Sequence, residues 1–226
     1  MLEAVLVILA AYLWGAVPWT YLAARYLKGI DLRDYGSGNV GSSNLMKQAG
    51  VRTGIAVGAV DCLVKGTLPI VAARALDQGL AMQTGIGLAV IAGHNWSVYI
   101  GFTGGRGLAT SIGVLFGQLL LLELLALLGF IAFGRWVPRD TAMWTLIGIF
   151  AAPVVALAVK RPQEIVYMLA GIALLLTLKR LTANWERPRT EQHGPARVMA
   201  HRLLWDRDLS RKEAWTLRRP PSDLKG

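Results

Sequence analysis

The stretch that decides the fold class is the first one, residues 2–24, which reads LEAVLVILAAYLWGAVPWTYLAA. Glu3 is its only charged residue. The stretch is longer than the roughly 20 apolar residues that a helix needs to cross a bilayer. A secretory signal peptide would carry positive charge ahead of a shorter apolar core. We therefore expect residues 2–24 to form a retained membrane helix.

The composition of the whole chain supports this reading. Of the 226 residues, 54% are hydrophobic and 17% are charged, against about 45–50% and about 25% in an ordinary soluble domain. A soluble domain is therefore disfavoured, and an all-α integral membrane bundle is expected. The single cysteine, Cys62, excludes disulfide bonds and cysteine-metal clusters within the chain. No metal or other cofactor is predicted.

Further apolar segments predict the other spans of the bundle. Besides residues 2–24, the segments 54–76, 82–101, 141–159 and 163–178 have the length of a membrane span or come close to it. The region 108–136 is either one long tilted helix or two short helices broken near Gly117 and Gln118.

Charge decides how often the chain crosses. The segment 25–52 is basic, which by the positive-inside rule puts it in the cytoplasm and the N-terminus outside. The net charge of the chain is +10, and the tail from Lys179 holds 12 basic and six acidic residues, so it belongs inside too. Seven spans satisfy both ends, which means that region 108–136 crosses twice.

This topology gathers three segments on the cytoplasmic side: residues 31–52, residues 102–108 and the stretch after residue 177. The segment 77–81 and the pair Lys160–Arg161 become external turns. Glu123 then lies near the middle of the bilayer, where a carboxylate is either hydrogen-bonded inside the bundle or functional.

The first cytoplasmic segment contains a possible anion site. Residues 36–44 read GSGNVGSSN, with three Gly, three Ser and two Asn. Glycines let backbone N–H groups turn toward one point, and hydroxyl and amide groups add neutral donors, as in an anion-binding nest. The motif therefore suits a phosphate. The alternative is a polar loop made of turn-forming residues.

The second segment also suits a phosphate. Residues 101–111 read GFTGGRGLATS, a glycine-rich turn with one Arg directly before an apolar helix. The N-terminus of a helix offers unpaired N–H groups and partial positive charge to an anion. The stretch lacks both the Walker A pattern and the G-x-G-x-x-G spacing, so a glycine hinge between membrane helices is the alternative.

Three ionisable residues within the spans are further candidates. Asp61 and Lys65 are four residues apart on one helix face, so they can pair with each other, or Lys65 can reach a substrate phosphate. His94 lies near the cytoplasmic end of its span, beside the glycine-rich loop. It is either a hydrogen-bonding fixture or a general base.

Together these motifs resemble those of the bacterial acyl-phosphate-dependent glycerol-3-phosphate acyltransferases, the PlsY family. The resemblance is carried by residues 36–44, by DCLVKG at 61–66, and by residues 93–110, and it covers roughly residues 4–186. It implies seven membrane helices, an external N-terminus and a bacterial inner-membrane location. It also implies transfer of a fatty acyl group from acyl phosphate to glycerol 3-phosphate, giving lysophosphatidic acid and phosphate.

The resemblance also implies roles for residues. The family needs the first motif's Ser and a basic residue downstream for activity, and its glycine-rich second motif is assigned to acyl phosphate. With the candidates above, the predicted catalytic residues are Ser37, Lys47 and His94. The predicted substrate-binding residues are Gly36, Gly38, Asn39, Gly41, Ser43, Asn44, Lys65, Gly104, Gly105, Arg106, Gly107 and Arg180.

The chain departs from the family pattern at several of these places. Lys47 stands where the family usually has Arg, which binds phosphate in bidentate geometry. In the third motif, Leu174 and Thr177 replace His and Asn, whereas Arg180 and Glu186 are kept. A divergent paralogue that binds acyl phosphate without reaction is therefore an alternative. A small permease for a phosphorylated anion is another, although no inverted repeat is evident.

The tail extends beyond the usual end of the family. We expect residues 1–186 to form a membrane acyltransferase-like domain and residues 187–226 a basic cytoplasmic tail. Its basic residues, interleaved with tryptophans, suit anionic lipid headgroups, and a solvated arm is the alternative. Nucleic acid is not expected, because the positive-inside rule already explains the charge.

Overall fold

A computed structural model describes residues 1–138, 140–185 and 194–208, and these residues form a bundle of helices. The predicted domain boundary at residue 186, Glu186 itself and the tail beyond residue 208 lie outside the described residues. The α-helices are α1 (Leu2–Ala16), α2 (Trp19–Lys28), α3 (Ser42–Ala49), α4 (Val51–Ala59), α5 (Leu68–Ala75), α6 (Leu80–Asn95), α7 (Leu108–Gly117), α8 (Leu121–Trp136), α9 (Thr141–Ala158), α10 (Gln163–Thr182) and α11 (Pro195–Trp205). A π-helix (Val60–Thr67) joins α4 to α5, and 3₁₀ turns follow α6 and α10 (Val98–Ile100 and Ala183–Trp185).

Four helical segments among the described residues are long and apolar enough to cross a membrane: Leu2–Lys28, Val51–Ala75, Thr141–Ala158 and Gln163–Thr182. Each matches a predicted span. The first contains a break at Val17–Pro18, because proline has no N–H to continue the helical ladder and caps α2 instead. The predicted span 82–101 is wrong at its end, since α6 stops at Asn95 and the chain turns.

The region 108–136 is divided as the glycine pattern indicated. Helix α7 ends at Gly117, a turn covers Gln118 to Leu120, and α8 begins at Leu121. Leu119 adopts a left-handed conformation, with φ of 56°, which prevents one continuous helix. The prediction of two short helices is therefore confirmed.

Helix α6 lies at the centre of the bundle and packs against α1, α5, α7 and α10. Its Val90 and Ile91 are fully buried in the main hydrophobic cluster. The π-helix packs against α7 at two facing glycines. A Cβ atom on Gly66 would collide with the backbone of Thr110, and one on Gly113 would collide with that of Cys62. Small residues thus let two membrane helices approach closely.

Glu123 is placed by pairing. It lies in the first turn of α8, and its carboxylate accepts hydrogen bonds of 2.7 and 3.1 Å from Arg161 in the turn between α9 and α10. The side chain of Glu123 is fully buried. A buried carboxylate costs much free energy unless a cation pairs with it, so this contact supports the structural role among the two alternatives.

Candidate active site

The three predicted cytoplasmic segments meet around one cavity of about 240 Å³. The first motif contributes Ser37 and Asn39, and the second contributes Arg106 and Gly107. Helix α10 contributes Arg180. The complete lining is Ser37, Asn39, Gly41, Ser42, Ser43, Asn44, Asp61, His94, Arg106, Gly107, Leu108, Ala109, Thr141, Ala142, Thr145, Leu176, Arg180 and Asp206.

The first motif is held in shape by one amide. The Asn44 side chain is buried at the start of α3, and its Nδ2 donates to the carbonyls of Leu32, Tyr35 and Asn39 at 3.3, 2.9 and 3.1 Å. Gly36 and Gly38 have φ of 56° and 69°, values that favour glycine. The loop therefore presents Ser37 to the cavity on a fixed backbone.

An ion pair just before this loop connects it to the second motif. Arg33 donates to the two carboxylate oxygens of Asp31 at 2.9 and 2.6 Å, and its Nη1 donates to the carbonyl of Ile100 at 3.3 Å. These hydrogen bonds hold the pKa of the Asp31 carboxyl below its usual value. The pair thus ties the first motif to the turn that leads into the second.

The second motif packs directly on the first. The Val40 N–H donates to the carbonyl of Gly104 at 3.3 Å, and the Gly105 N–H donates to the carbonyl of His94 at 3.1 Å. A Cβ atom on Gly105 would fall on Nε2 of His94. Gly107, with φ of 73°, then turns the chain into α7. These contacts require glycine and leave Arg106 facing the cavity.

Under the second motif lies a buried polar cluster. Lys65 Nζ is 2.9 Å from Asp61 Oδ1 and 3.2 Å from Nδ1 of His94. The hydroxyl of Thr20 donates to the other oxygen of Asp61 at 3.3 Å. Asp61 and Lys65 are each 2% exposed. Both belong to the π-helix, a local widening that often occurs at functional sites. The predicted pairing of Asp61 with Lys65 is present.

Asn184 joins the two motifs to α10. Its Oδ1 accepts from the N–H of Gly104 at 3.0 Å and from Nζ of Lys179 at 2.5 Å, and its Nδ2 donates to the carbonyl of Gly38 at 3.2 Å. Asn184 has a φ of 58°, a left-handed conformation that Asn tolerates. Lys179 is fully buried and also donates to the carbonyl of Asn95.

Arg180 fastens two further walls of the cavity. Its Nη1 donates to the carbonyl of Leu203 in α11 at 3.1 Å, and its Nη2 donates to the carbonyl of Ala142 in α9 at 2.9 Å. Asp140 caps α9, accepting from the N–H groups of Ala142 and Met143 at 3.1 and 3.4 Å. The first turn of α9 is thereby held against the cavity.

The family model for glycerol-3-phosphate acyltransferase matches residues 5–190, which is most of the chain. The chain belongs to the glycerol-3-phosphate acyltransferase family. A relative from Dehalococcoides mccartyi, "Glycerol-3-phosphate acyltransferase 5", is 37% identical over 93% of this chain and 91% of its own length. One from Geobacter sulfurreducens, "Glycerol-3-phosphate acyltransferase", is 36% identical over 79% of this chain and 91% of its own.

Solved structures of the family resemble this fold. The glycerol 3-phosphate form of PlsY (YgiH), an integral membrane glycerol 3-phosphate acyltransferase, has a TM-score of 0.68 and 30% identity over 79% of this chain and 88% of its own. Its lysophosphatidic acid form has a TM-score of 0.67, 28% identity and the same coverage. The family predicted from the motifs and the multi-pass membrane architecture predicted from the apolar segments are confirmed. Neither the permease nor the non-catalytic alternative is favoured.

The structure brings most of the predicted site residues of this family member to the cavity. Those that line it are Ser37, Asn39, Gly41, Ser43, Asn44, His94, Arg106, Gly107 and Arg180. A second group lies immediately behind that wall: Gly36, Gly38, Lys65, Gly104 and Gly105.

Lys47 is placed differently from the other predicted catalytic residues. It lies in the last turn of α3, is exposed and does not line the cavity. It is four residues beyond Ser43, on the same face of the helix, and Ser43 does line the cavity. The catalytic role of Lys47 stays a prediction.

Sequence reasoning missed several residues of the site. Thr141, Ala142 and Thr145 were assigned to a membrane span, and Asp206 to a basic tail, yet all four line the cavity. Asn184 lies just after the Arg180–Leu181 pair of the third motif, but a single Asn carries little signal in a sequence. In the described part of the chain, no group of three or more His, Cys, Asp or Glu could hold a metal ion.

Proposed function

We propose that this protein is a membrane enzyme that transfers a fatty acyl group from acyl phosphate to glycerol 3-phosphate. The products are lysophosphatidic acid and phosphate, as in phospholipid biosynthesis. The observation that carries the proposal is the cavity at which the Ser37 loop, the glycine-rich turn and Arg106 converge. The chain around that cavity is similar to an enzyme solved with glycerol 3-phosphate.

The reaction suits a site that positions two anions. A hydroxyl oxygen of glycerol 3-phosphate attacks the acyl carbon, the bond from that carbon to the phosphate oxygen breaks, and phosphate leaves with the electron pair. Because acyl phosphate is an activated mixed anhydride, positioning and charge stabilisation can supply much of the rate enhancement. The leaving phosphate, or a base near it, takes the hydroxyl proton.

The polar groups of the cavity divide this work. Ser37 donates a hydroxyl hydrogen bond to a phosphate oxygen, and the guanidinium of Arg106 supplies positive charge beside it. The backbone N–H groups at the start of α7, after Gly107, offer the partial positive charge of the helix end to a bound anion. Lys47, exposed in the last turn of α3, adds a cation beyond the first motif.

His94 acts as a hydrogen-bond donor in this scheme rather than as a base. In this scheme Lys65, whose Nζ lies 2.9 Å from Oδ1 of Asp61, is assigned as an ammonium ion that donates to Nδ1 of His94. A neutral imidazole that accepts at Nδ1 carries its proton on Nε2. Nε2 lies beside Gly105, where its N–H can stabilise negative charge on the reacting carbonyl or on phosphate.

The acyl chain lies along the apolar part of the cavity. Leu108, Ala109 and Leu176 are the apolar side chains that line it together with the polar loops. A fatty chain placed between these helices stays in the hydrocarbon region of the membrane, while its phosphate end reaches the polar loops. This arrangement explains why the reaction takes place at a membrane rather than in free solution.

The proposal includes a topology. Added to the four long spans, the shorter helices α6, α7 and α8 bring the number of crossings to seven. With the N-terminus outside, the cavity opens on the cytoplasmic side of the bacterial inner membrane, where glycerol 3-phosphate is available. Residues 1–186 then form most of the acyltransferase domain, and residues 194–208 complete the wall of its cavity. The extension of residues 187–226 is basic overall and lies on the cytoplasmic side, where it suits anionic lipid headgroups.

The test is an assay with purified protein in detergent or proteoliposomes. We expect phosphate release from palmitoyl phosphate only when glycerol 3-phosphate is present, together with an equal amount of lysophosphatidic acid by mass spectrometry. Acyl-coenzyme A and acyl-carrier protein as donors should give little product. Product from either of them, and none from acyl phosphate, would exclude the proposed donor but not acyl transfer.

Two variants test whether the cavity is the site. Ser37→Ala removes one donor to phosphate and should lower kcat/KM on the order of tenfold. Thr53→Ala, which removes a hydroxyl from α4 outside the cavity, should stay within about twofold of the parent. Absence of acylated product with every donor and acceptor tried would overturn the proposed function.

A further inference from the structure

The segment after the family-model match contributes a wall of the cavity. The match ends at residue 190, and α11 follows with the turn that contains Asp206. Asp206 lines the same cavity as Ser37 and Arg106. Its φ is 54°, a left-handed conformation that stops α11 and turns the chain toward the bundle. A residue outside the family match thus enters the proposed site.

Two arginines fix this segment against the bundle. Arg180 of α10 donates to the carbonyl of Leu203 in α11, and Arg202 of α11 donates to the carbonyl of Leu181 in α10 at 3.0 Å. Arg202 also forms a two-point ion pair with Asp208, at 2.5 and 2.8 Å. The side chains of Arg202 and Asp208 are 3% and 0% exposed. Buried, reciprocal contacts of this kind indicate a permanent wall rather than a loose arm.

This wall places the carboxylate of Asp206 against the guanidinium of Arg106. Arg106 Nε donates to Oδ1 of Asp206 at 2.5 Å, with 14% and 27% of the two side chains exposed. The contact uses the Nε edge of the guanidinium. It leaves the terminal nitrogens Nη1 and Nη2 for a second anion, and it restricts the rotation of a long side chain that would otherwise have many rotamers.

We infer that Asp206 is a positioning residue, which holds the Arg106 guanidinium so that its terminal nitrogens bind the phosphate of a substrate. This inference rests on the proposed acyltransferase function. The opposite role is a carboxylate that competes with substrate phosphate for Arg106. The two roles differ in sign: loss of a positioning carboxylate raises KM, whereas loss of a competitor lowers it.

The decisive measurement is KM and kcat of the full-length protein for each substrate separately. Asp206→Asn keeps the size of the side chain and removes its charge. We expect KM for one phosphate-bearing substrate to rise about fivefold, with kcat and the other KM within about twofold. The substrate whose KM rises identifies the phosphate that Arg106 holds. Asp206→Glu, which restores the charge, should recover part of the loss.

A matched control is available elsewhere in the chain. Asp77 also follows the end of a helix and has a φ of 51°, and it does not line the cavity. Asp77→Asn is therefore the same substitution at a similar φ outside the cavity, and both KM values should stay at those of the parent. An Asp206→Asn protein with unchanged or lowered KM values for both substrates would overturn the inference.

A double-mutant cycle checks that Asp206 acts through Arg106. Arg106→Gln alone should raise the same KM as Asp206→Asn, and by more. Asp206→Asn should then have little further effect in the Arg106→Gln background, since a positioning residue has nothing left to position. Independent, multiplicative effects of the two substitutions would contradict the inference.

A binding experiment separates this inference from the proposed function. Titration calorimetry with glycerol 3-phosphate, and separately with inorganic phosphate, needs no turnover. Weaker binding to Asp206→Asn than to the parent supports the positioning role even if the parent protein transfers no acyl group. A parent that binds neither compound and transfers no acyl group would overturn both proposals.

Discussion

The cavity has two sides that are built by different means. One side consists of short glycine-rich loops, residues 36–44 and 104–107, held by backbone and amide hydrogen bonds at close range. The other side consists of the start of α9 and residues 194–208, held by arginine side chains that reach across helices. The first side depends on residues that are small, and the second on residues that are long.

This difference affects how each side responds to change. On the loop side there is no space for a Cβ atom at Gly104 or Gly105, because backbone and imidazole atoms already lie there. On the arginine side, Arg180 and Arg202 satisfy carbonyls near the ends of neighbouring helices through long side chains that can adjust. We therefore expect substitutions of the glycines on the loop side to abolish most of the activity. Substitutions on the arginine side should each reduce the activity by a smaller factor.

The largest effect is expected from Gly105→Ala on the loop side. The added methyl group would displace Nε2 of His94 and move the wall of the cavity. A displacement of about 1 Å at the reacting groups can lower the rate on the order of a hundredfold. Kinetic assay of the purified variant, with a thermal unfolding curve to show that it is folded, measures this.

The control for this prediction is Gly79→Ala. No atom lies within 4 Å of a Cβ atom at Gly79, and its φ of −62° suits alanine. Its activity should equal that of the parent. If Gly105→Ala also kept full activity, the close packing of the second motif on His94 would have no catalytic importance, and the contrast between the two sides would disappear.

A smaller effect is expected from Arg202→Gln on the arginine side. The substitution leaves the buried carboxylate of Asp208 without its two-point partner, and an unpaired buried charge is costly. Because α11 lies at one edge of the bundle, we expect residues 194–208 to open locally rather than the whole protein to unfold. The melting temperature should change little, while amide exchange in α11 increases and kcat/KM falls roughly tenfold as Asp206 leaves Arg106.

Arg197→Gln is the matched control, since Arg197 is an exposed arginine on the same helix. It should leave amide exchange in α11 and activity at the values of the parent. Unchanged activity in Arg202→Gln, together with clear opening of α11, would show that the cavity functions without this wall.

The same contrast explains what could be predicted from the sequence. The loop side was found because nine consecutive residues, 36–44, combine glycines with small polar groups, and such a pattern is local. The break of region 108–136 at Gly117 was found for the same reason. The contacts of Asp206 with Arg106 and of Asn184 with Gly38 join residues that are 100 and 146 positions apart. No local pattern contains that information.

The charge pattern also concealed part of the site. The sequence predicts a single basic tail because Lys and Arg outnumber Asp and Glu there. In the structure, acidic residues of this segment, Asp206 and Asp208, make the described ion pairs with Arg106 and Arg202. Net charge indicated the side of the membrane, but individual pairs decide which groups enter the cavity, and pairing depends on how the helices pack.

The smallest effect is expected at the edge of the loop side, from the ion pair of Asp31 with Arg33. Hydrogen bonds from Arg33 lower the pKa of the Asp31 carboxyl, so folding favours its ionised form. The resulting stabilisation is complete above the unfolded-state pKa, about 3.9, and is lost as the pH falls through the lower folded-state pKa. Asp31→Asn should therefore lower the melting temperature by about 1–3 °C at pH 7, and the difference from the parent should shrink below about pH 4. The control is Asp77→Asn, at an exposed carboxylate in the turn after α5, which should leave the melting temperature at pH 7 at the value of the parent. A deficit of Asp31→Asn that stays the same at pH 3 would mean that its cause is packing rather than charge, and the loop side would then owe none of its stability to this pair.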